Sequence, residues 1–165
     1  MAIFRPGDLK KRITDITIKE LKSRHISGLL LDVDNTLTRH GDQSIEDNVL
    51  LWLQTMKDHG MKIIIVSNAK FKRVRPFAEK IGLEFVHMAA KPLPFGFRRA
   101  AKHIGIPLKQ CAAIGDQIFT DVMGANLAGV QCIQVLPIEL EYEKPFMMFK
   151  RRIENRMMDY PYDIH

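Results

Sequence analysis

Two aspartates that directly follow a short apolar run are the side chains in this sequence best suited to chemistry. The run 29–31 is all leucine, Asp32 follows it, and Asp34 lies two positions further on. An apolar run of this kind, bounded by Gly28 and polar residues, is typical of a buried strand in a parallel sheet, whose carboxyl end is where ligands bind. Because side chains alternate along a strand, the two carboxylates can converge. We expect a hard divalent cation, Mg²⁺ above all, to offset their repulsion.

The same residues have a simpler interpretation, because Asp, Asn and Thr are also favoured in turns and caps at strand ends. The pattern Asp-x-Asp alone therefore does not distinguish a metal site from a turn. The complete string Asp32-Val33-Asp34-Asn35-Thr36 comes directly after an apolar strand. That context favours the metal site, since a short motif gains its meaning from the structure around it.

Composition places the chain among ordinary soluble domains. It has 165 residues, of which 46% are hydrophobic and 27% charged, enough for one domain with a sizeable core. No apolar run is long enough to span a bilayer, and residues 1–8 lack the apolar segment of a secretory signal. Cys111 and Cys132 lie in apolar runs, which predicts packing residues in a reducing, cytoplasmic location. Lys and Arg outnumber Asp and Glu by 25 to 19, which favours anionic partners without selecting one.

Apolar segments of strand length alternate with amphipathic segments of helix length along most of the chain. This alternation predicts right-handed βαβ units in a doubly wound, Rossmann-like parallel sheet of five strands. We expect one domain over 1–165, with a core at about 26–137, a basic lead-in at 1–25 and a tail at 138–165. The predicted strands cover 29–31, 62–68, 84–87, 111–116 and 130–136, and the predicted helices cover 18–23, about 45–59, 71–81, 95–104 and 118–128.

The carboxyl ends of these strands bring further polar side chains to the same edge of the sheet. Ser67 and Asn68 end the second strand, Lys91 follows the third, and Asp116 and Asp121 follow the fourth. Carboxylates, a hydroxyl and an ammonium at one sheet edge suit a phosphate held with a metal. Each also has a structural interpretation: Ser67 as a strand-end cap, Lys91 as a solvated loop residue, and Asp121 as a first-turn helix acid.

In order and spacing, these motifs resemble those of the haloacid-dehalogenase (HAD) superfamily of phosphatases. The last motif, Gly-Asp-Gln-x-x-Thr-Asp, resembles subclass III (IIIA). Within that subclass the chain resembles the YqeG-type branch, which is related to mitochondrial phosphatidylglycerophosphate phosphatase. The resemblance covers 29–121 and implies a HAD-like fold and a Mg²⁺-dependent phosphomonoesterase. The residues that carry it are Asp32, Asp34, Thr36, Ser67, Lys91, Gly115, Asp116 and Asp121.

The resemblance implies a role for each of these residues. Asp32 is the expected nucleophile, which forms an aspartyl-phosphate, and Asp34 is the expected general acid and base. Mg²⁺ is expected on the Asp32 carboxylate, the Asp34 backbone carbonyl and Asp116. Ser67 and Lys91 are expected to hold the phosphoryl oxygens. The side chains expected to hold the reacting groups in position are those of Thr36, Asn68, Gln117 and Asp121.

No cap domain is predicted, because 38–44 is too short for one and 69–90 holds only one helix and one strand. An open site admits a phosphate carried on a large scaffold. Basic side chains at 70–75 lie beside the predicted site and favour an anionic substrate or surface, whereas those at 98–102 are equally well explained as a solvated helix face. Aromatic and basic residues at 145–152 predict either an interfacial anchor or a helix docked on the domain.

These observations favour a Mg²⁺-dependent phosphomonoester hydrolase, with a phosphatidylglycerophosphate-like lipid headgroup as a candidate substrate and an anionic membrane surface as a candidate partner. Two alternatives stay open: a phosphatase for protein or nucleic-acid end phosphates, and a non-catalytic nucleic-acid-binding module on the same fold. The presence of Asp32, Asp34, Lys91 and Asp116 argues against the module and makes nucleic acid the less favoured partner. The oligomeric state is not predicted.

Overall fold

The described part of the chain folds into a parallel sheet with helices on both faces. The computed structural model describes residues 2–140 and 144–157. The strands are β1 (Asp8–Lys10), β2 (Gly28–Leu31), β3 (Lys62–Val66), β4 (Glu84–Val86), β5 (Cys111–Gly115) and β6 (Gln131–Val135). The helices are α1 (Ile18–Ser23), α2 (Asp47–Asp58), α3 (Phe71–Ile81), α4 (Phe95–Ile104), α5 (Met123–Ala128) and α6 (Pro145–Met157). The strands lie in the order β1-β6-β5-β2-β3-β4, and their pairings are all parallel, which confirms the Rossmann-type architecture.

Strand β2 occupies the middle of the sheet, which explains its uninterrupted apolar sequence. Gly28 lies opposite Lys62 of β3 and Cys111 of β5, so β2 has a hydrogen-bonded neighbour on each side. Leu29 and Leu31 pack into the core on one face of the sheet, and Leu30 packs into the core on the other. Full burial of a leucine side chain stabilises the fold by roughly 1.5–3 kcal/mol. The strand that carries the aspartates is therefore anchored on both faces.

Within the described residues the sheet has six strands, one more than the sequence predicts. The additional strand is β1, which lies at the sheet edge and pairs with β6 through Asp8 and Ile133. Its three residues are all half-buried and show no alternation of polar and apolar positions. A strand this short lacks the periodic signal that identifies strands, because its pairing depends on the exposed edge of a distant partner.

The connections that precede α2 and α3 are short. The first runs from 32 to 46 and the second from 67 to 70, so no cap domain is inserted at either point in the described chain. The described connections therefore leave the carboxyl edge of the sheet uncovered by any inserted domain, in agreement with the prediction that there is no cap. Among the described helices, none combines the length and apolar character that crossing a membrane requires.

Helix α6 packs against the sheet domain with one face only. Met148, Arg151 and Glu154 are buried, whereas Phe146 and Phe149 are 71% and 59% exposed. Of the two alternatives for this segment, the structure shows the docked helix. The same helix still presents two aromatic rings to the outside.

Candidate active site

The structure brings four charged side chains together at the carboxyl edge of the sheet. Lys91 Nζ lies 2.6 Å from Asp32 Oδ1 and 2.6 Å from Asp121 Oδ1. Asp116, the residue after β5, completes the group, and all four side chains are buried. Lys91 is therefore a fixed bridge between two carboxylates and not a solvated loop residue.

The three carboxylates of this group form a cluster suited to a cation. One oxygen from each of Asp32, Asp116 and Asp121 lies within 4.8 Å of the others. Asp116 Oδ1 is buried and has no hydrogen-bond partner within the described residues. Three carboxylates against the one ammonium of Lys91 leave two negative charges when all are ionised. Because carboxylate oxygens are the ligands that hard divalent cations prefer, the residues fit Mg²⁺.

The pKa values of the cluster also indicate an excess of buried negative charge. Burial raises the pKa of Asp32 well above its usual value, with Lys91 opposing the shift and Asp121 and Asp116 adding to it. Burial likewise raises the pKa of Asp116 to about 7, against the influence of a nearby arginine, Arg151. Burial alone would lower the pKa of Lys91, but the charges of Asp121 and Asp32 outweigh it and raise this pKa. A cation near a carboxylate favours its charged form, so a bound divalent ion would offset these shifts.

The hydrogen-bond partners of the Asp34 carboxylate lie outside this cluster. Asp34 Oδ1 accepts hydrogen bonds from Arg73 Nη2 at 2.5 Å and from the Gly41 N–H at 2.9 Å. The strand ladder continues only to the Asp32 N–H, and the chain then turns around the Val33 carbonyl. Side-chain alternation therefore no longer applies at Asp34.

Ser67 and Asp34 line one small depression, together with Arg73. Ser67 Oγ accepts a hydrogen bond from the Ala69 N–H at 3.1 Å, which is a local strand-end contact. The structural interpretation of Ser67 as a cap is thus also present in the fold. Because Ser67 also lies beside Asp34 at the sheet edge, it can act both as a strand-end cap and as part of the site.

Residues around the cluster hold its members in place. Asn68 makes two hydrogen bonds to the backbone of Lys91, at 2.7 Å to its N–H and 3.0 Å to its carbonyl. The Gln117 N–H donates to Asp121 Oδ2 at 3.2 Å. Thr36 is buried, and its hydroxyl lacks a hydrogen-bond partner within the part of the chain that the structure describes. Gly115 leaves room for Asp121, because a Cβ on Gly115 would lie 2.3 Å from Asp121 Cγ.

Two buried residues of α6 reach this site and are absent from the sequence-based prediction. Arg151 makes an ion pair with Asp116, and Glu154 pairs with Arg151 at 3.2 Å. In the sequence, Arg151 stands in a run of three basic residues that is typical of a solvated surface. Its burial depends on how α6 docks, which no local pattern indicates. Arg73 is one of the basic residues at 70–75 that the sequence predicts beside the site, and the structure shows its direct contact with Asp34.

Comparison with known proteins identifies relatives over almost the whole chain. Residues 44–129 match a family model described as haloacid dehalogenase-like hydrolase. The "Probable phosphatase YqeG" of Bacillus subtilis (strain 168) is 36% identical over 155 residues, covering 94% of this chain and 90% of that protein. "Phosphatidylglycerophosphate phosphatase 1, chloroplastic" of Chlamydomonas reinhardtii is 24% identical, and the match covers 86% of this chain but 56% of that longer protein.

Solved structures share the fold. The cobalt-bound deoxy-D-mannose-octulosonate 8-phosphate phosphatase of Haemophilus influenzae superposes with a TM-score of 0.57 at 18% identity, over 68% of this chain and 70% of its own. The 4-nitrophenylphosphatase of Thermotoga maritima gives a TM-score of 0.53 at 14% identity, over 73% and 89% of the two chains. With the family match and the 36% identical relative, these findings confirm the predicted resemblance. The chain belongs to the haloacid dehalogenase-like hydrolases and is a phosphatase of that family.

Proposed function

We propose that this chain, as a single domain, hydrolyses phosphomonoesters through an aspartyl-phosphate on Asp32. The observation that carries the proposal is the buried bridge from Lys91 to Asp32 and Asp121, beside the unpartnered Asp116 oxygen. A fixed ammonium next to a carboxylate, together with further acids for a cation, matches what phosphoryl transfer to a carboxylate needs.

In the first half of the reaction, an Asp32 carboxylate oxygen attacks phosphorus and the bond to the leaving oxygen breaks. Asp34 gives its proton to that leaving oxygen and is left as a carboxylate, which Arg73 is placed to stabilise. Lys91 and Ser67 hold the phosphoryl oxygens and stabilise the charge that develops on them. Asn68 and Asp121 keep Lys91 in position through its backbone and its ammonium group.

In the second half, Asp34 takes a proton from the water that attacks the phosphorus of the aspartyl-phosphate. The bond to Asp32 breaks, phosphate leaves, and both carboxyl groups return to their starting states. The proposed ligands of Mg²⁺ are the carboxylates of Asp32 and Asp116 and the backbone carbonyl of Asp34, with Thr36, Gln117 and Asp121 as supporting residues. When bound there, Mg²⁺ supplies the charge neutralisation that brings a carboxylate and a phosphate dianion together.

The test of this proposal is phosphate release from a generic aryl phosphate by purified, Mg²⁺-loaded protein. We expect steady turnover that Asp116→Asn abolishes. Asp58→Asn, an exposed acid at the far end of α2, serves as the matched control and should leave turnover unchanged. Absence of turnover on aryl, lipid, sugar, nucleotide and phosphopeptide substrates alike would contradict the proposal.

We further propose that the substrate is a phospholipid headgroup, met at the surface of an anionic membrane on the cytoplasmic side. The support is the open carboxyl edge of the sheet, the distant relative named as a phosphatidylglycerophosphate phosphatase, and exposed apolar side chains that follow strands at that edge. We call these side chains the apolar rim. They are Phe71, Met88, Leu93 and Phe95, with Phe146 and Phe149 of α6.

Exposed basic side chains accompany the apolar rim. Lys70, Lys72 and Arg75 lie at the start of α3, and Arg98 and Arg99 lie in the first half of α4. Each Lys or Arg near an acidic membrane contributes about 1 kcal/mol, screened within a Debye length. Several together predict weak, salt-sensitive binding, and an inserted aromatic ring adds an apolar contribution.

Co-sedimentation with anionic and neutral vesicles, at low and moderate salt, tests this membrane contact. We expect binding to anionic vesicles at low salt, reduced by Phe146→Ser with Phe149→Ser. Leu127→Ser is the matched control, because Leu127 is an exposed apolar residue at the opposite end of the sheet. If the protein shows no preference for anionic vesicles at low salt, the lipid proposal fails and a soluble phosphorylated substrate takes its place.

A further inference from the structure

A fully buried arginine of α6 lies against the carboxylate cluster formed by Asp32, Asp116 and Asp121. Arg151 Nη2 donates to Asp116 Oδ2, and Arg151 Nη1 donates to the Asp116 carbonyl at 3.2 Å. Asp116 is thus held by one guanidinium at both its side chain and its backbone. A guanidinium matches such a two-point contact because its N–H donors have a fixed, planar arrangement.

Two neighbouring side chains of α6 tie the helix to the same loop. Glu154 Oε1 accepts hydrogen bonds from the Ile118 N–H at 2.9 Å and the Phe119 N–H at 3.4 Å. Lys150 Nζ donates to Gln117 Oε1 at 3.1 Å. Together with Arg151, these side chains contact every residue from 116 to 119, and Glu154 and Arg151 are also paired with each other.

The contact uses one oxygen of Asp116 and leaves the other for a ligand. Oδ2 is occupied by Arg151, whereas Oδ1 is buried, has no hydrogen-bond partner among the described residues, and belongs to the residue set that could hold a cation. A buried carboxylate oxygen without a partner is costly, so its presence here indicates a ligand. With Oδ2 fixed by Arg151, rotation of the carboxylate is restricted, so the orientation of Oδ1 is fixed as well.

The charge of Arg151 does not by itself oppose a cation, because α6 brings its own counter-charge. Arg151 and Glu154 together add one positive and one negative charge. The two negative charges left by Asp32, Asp116, Asp121 and Lys91 are therefore unchanged by the docking of α6. The helix can fix Asp116 without reducing the net charge available to a divalent ion.

We propose that Arg151 is a positioning residue for the metal: it acts from α6, through Asp116, to set the affinity of the site for a divalent cation. This inference rests on the Mg²⁺ site of the proposed function. It makes α6 a working part of the active site and assigns Glu154 the role of neutralising and orienting Arg151. Partners that orient metal ligands in this way are typically worth about 10–100-fold in metal affinity.

The experiment is a calorimetric titration of the metal-free full chain with Mg²⁺ alone, without substrate. The decisive variant combines Arg151→Met with Glu154→Gln, which keeps the net charge of the cluster and an acceptor for the Ile118 N–H while removing the contact to Asp116. We expect Mg²⁺ to bind this variant about 10–100-fold more weakly. Arg151→Lys, which keeps the charge but loses the paired donors, should fall at about the lower end of that range and covers the case in which the double variant does not fold.

Two controls give the outcomes their meaning. Arg152→Met, an exposed neighbour on the same helix, should bind Mg²⁺ like the wild type. Asp116→Asn should bind it far more weakly, which identifies the site. Wild-type affinity in the folded Arg151 variants, or tighter binding because a competing cation was removed, would overturn the positioning role while leaving the proposed function intact. Absence of Mg²⁺ binding by the wild type would overturn both.

Discussion

At the scale of single residues, Lys91 holds the buried charges of the site together. Its ammonium contacts Asp32 and Asp121, and its backbone is held by Asn68. A buried carboxylate or ammonium is unfavourable unless it is paired, so each member of the group depends on the others. Single substitutions here are expected to affect both chemistry and packing.

Asp32→Asn should abolish turnover, because the amide has no anionic oxygen with which to attack phosphorus. We expect kcat to fall by about 10³-fold or more. The measurement is steady-state phosphate release, with circular dichroism to show that the fold is retained. Asp58→Asn is the control. Near-wild-type kcat in Asp32→Asn would mean that another residue is the nucleophile.

Gly115→Ala should damage the site through shape alone. The new Cβ would lie 2.3 Å from Asp121 Cγ, so Asp121 must shift and its contact with Lys91 must loosen. Overpacking of this kind costs about 1–3 kcal/mol, and turnover should fall with it. Thermal unfolding and phosphate release measure the two effects.

Gly105→Ala provides the contrast for this prediction. A Cβ at Gly105 meets no atom within 4 Å, but the residue has φ +70° at the end of α4. It should cost about 1–2 kcal/mol through backbone strain and leave turnover unchanged. Equal activity of Gly115→Ala and Gly105→Ala would contradict the proposed close fit between Gly115 and Asp121.

Sequence order predicts which residues lie at the sheet edge but not which side chains pair with one another there. Asp32, Lys91, Asp116 and Asp121 meet as expected, since each follows a strand of one parallel sheet. The pairing of Asp34 with Arg73 and the burial of Arg151 depend on turn geometry and helix docking. Those are tertiary properties that residue type and spacing do not encode.

At the scale of secondary structure, local signals identify the elements that have them. Thr17 accepts a hydrogen bond from the Glu20 N–H and caps α1, which covers the predicted range Ile18–Ser23. The central strands are found because they are continuously apolar. Strand β1 carries no such signal and exists because β6 offers it an edge.

The cysteines of β5 and β6 should be unreactive in the folded protein. Burial raises the pKa of Cys111 to about 11 and raises that of Cys132 still further above its usual value. Because the thiolate is the reactive form, a thiol reagent at about pH 8 should label neither residue in the native state and both in denaturant. Leu127→Cys supplies an exposed reference thiol. Rapid native labelling of Cys111 or Cys132 would contradict their burial.

At the scale of the whole molecule, the carboxyl edge of the sheet collects most of the functional groups. The acid cluster, the apolar rim and the basic starts of α3 and α4 share this edge because every strand runs in the same direction. Part of the net charge of +6 thus comes from basic side chains at this edge of the sheet. It favours the approach of an anionic substrate towards the site.

Turnover should require Mg²⁺ and cease when the metal is chelated, because the two excess negative charges of the cluster would otherwise repel a phosphate. Ca²⁺ should inhibit, since its larger and less regular coordination shell lets a carboxylate bind through both oxygens and misplaces Asp32. Phosphate release with each metal, and with excess chelator, measures both effects. Full turnover in chelator, with metal verified absent, would contradict the mechanism.

The pairing of β1 with β6 also has a consequence for the order in which the protein is made. Asp8 leaves the ribosome 125 residues before its partner Ile133, a delay of about 6–25 s at typical rates of synthesis of 5–20 residues per second. During that interval the first strand has no edge to join. Strand β1 can therefore join the sheet only after β6 has been made, although it precedes the other described strands along the chain.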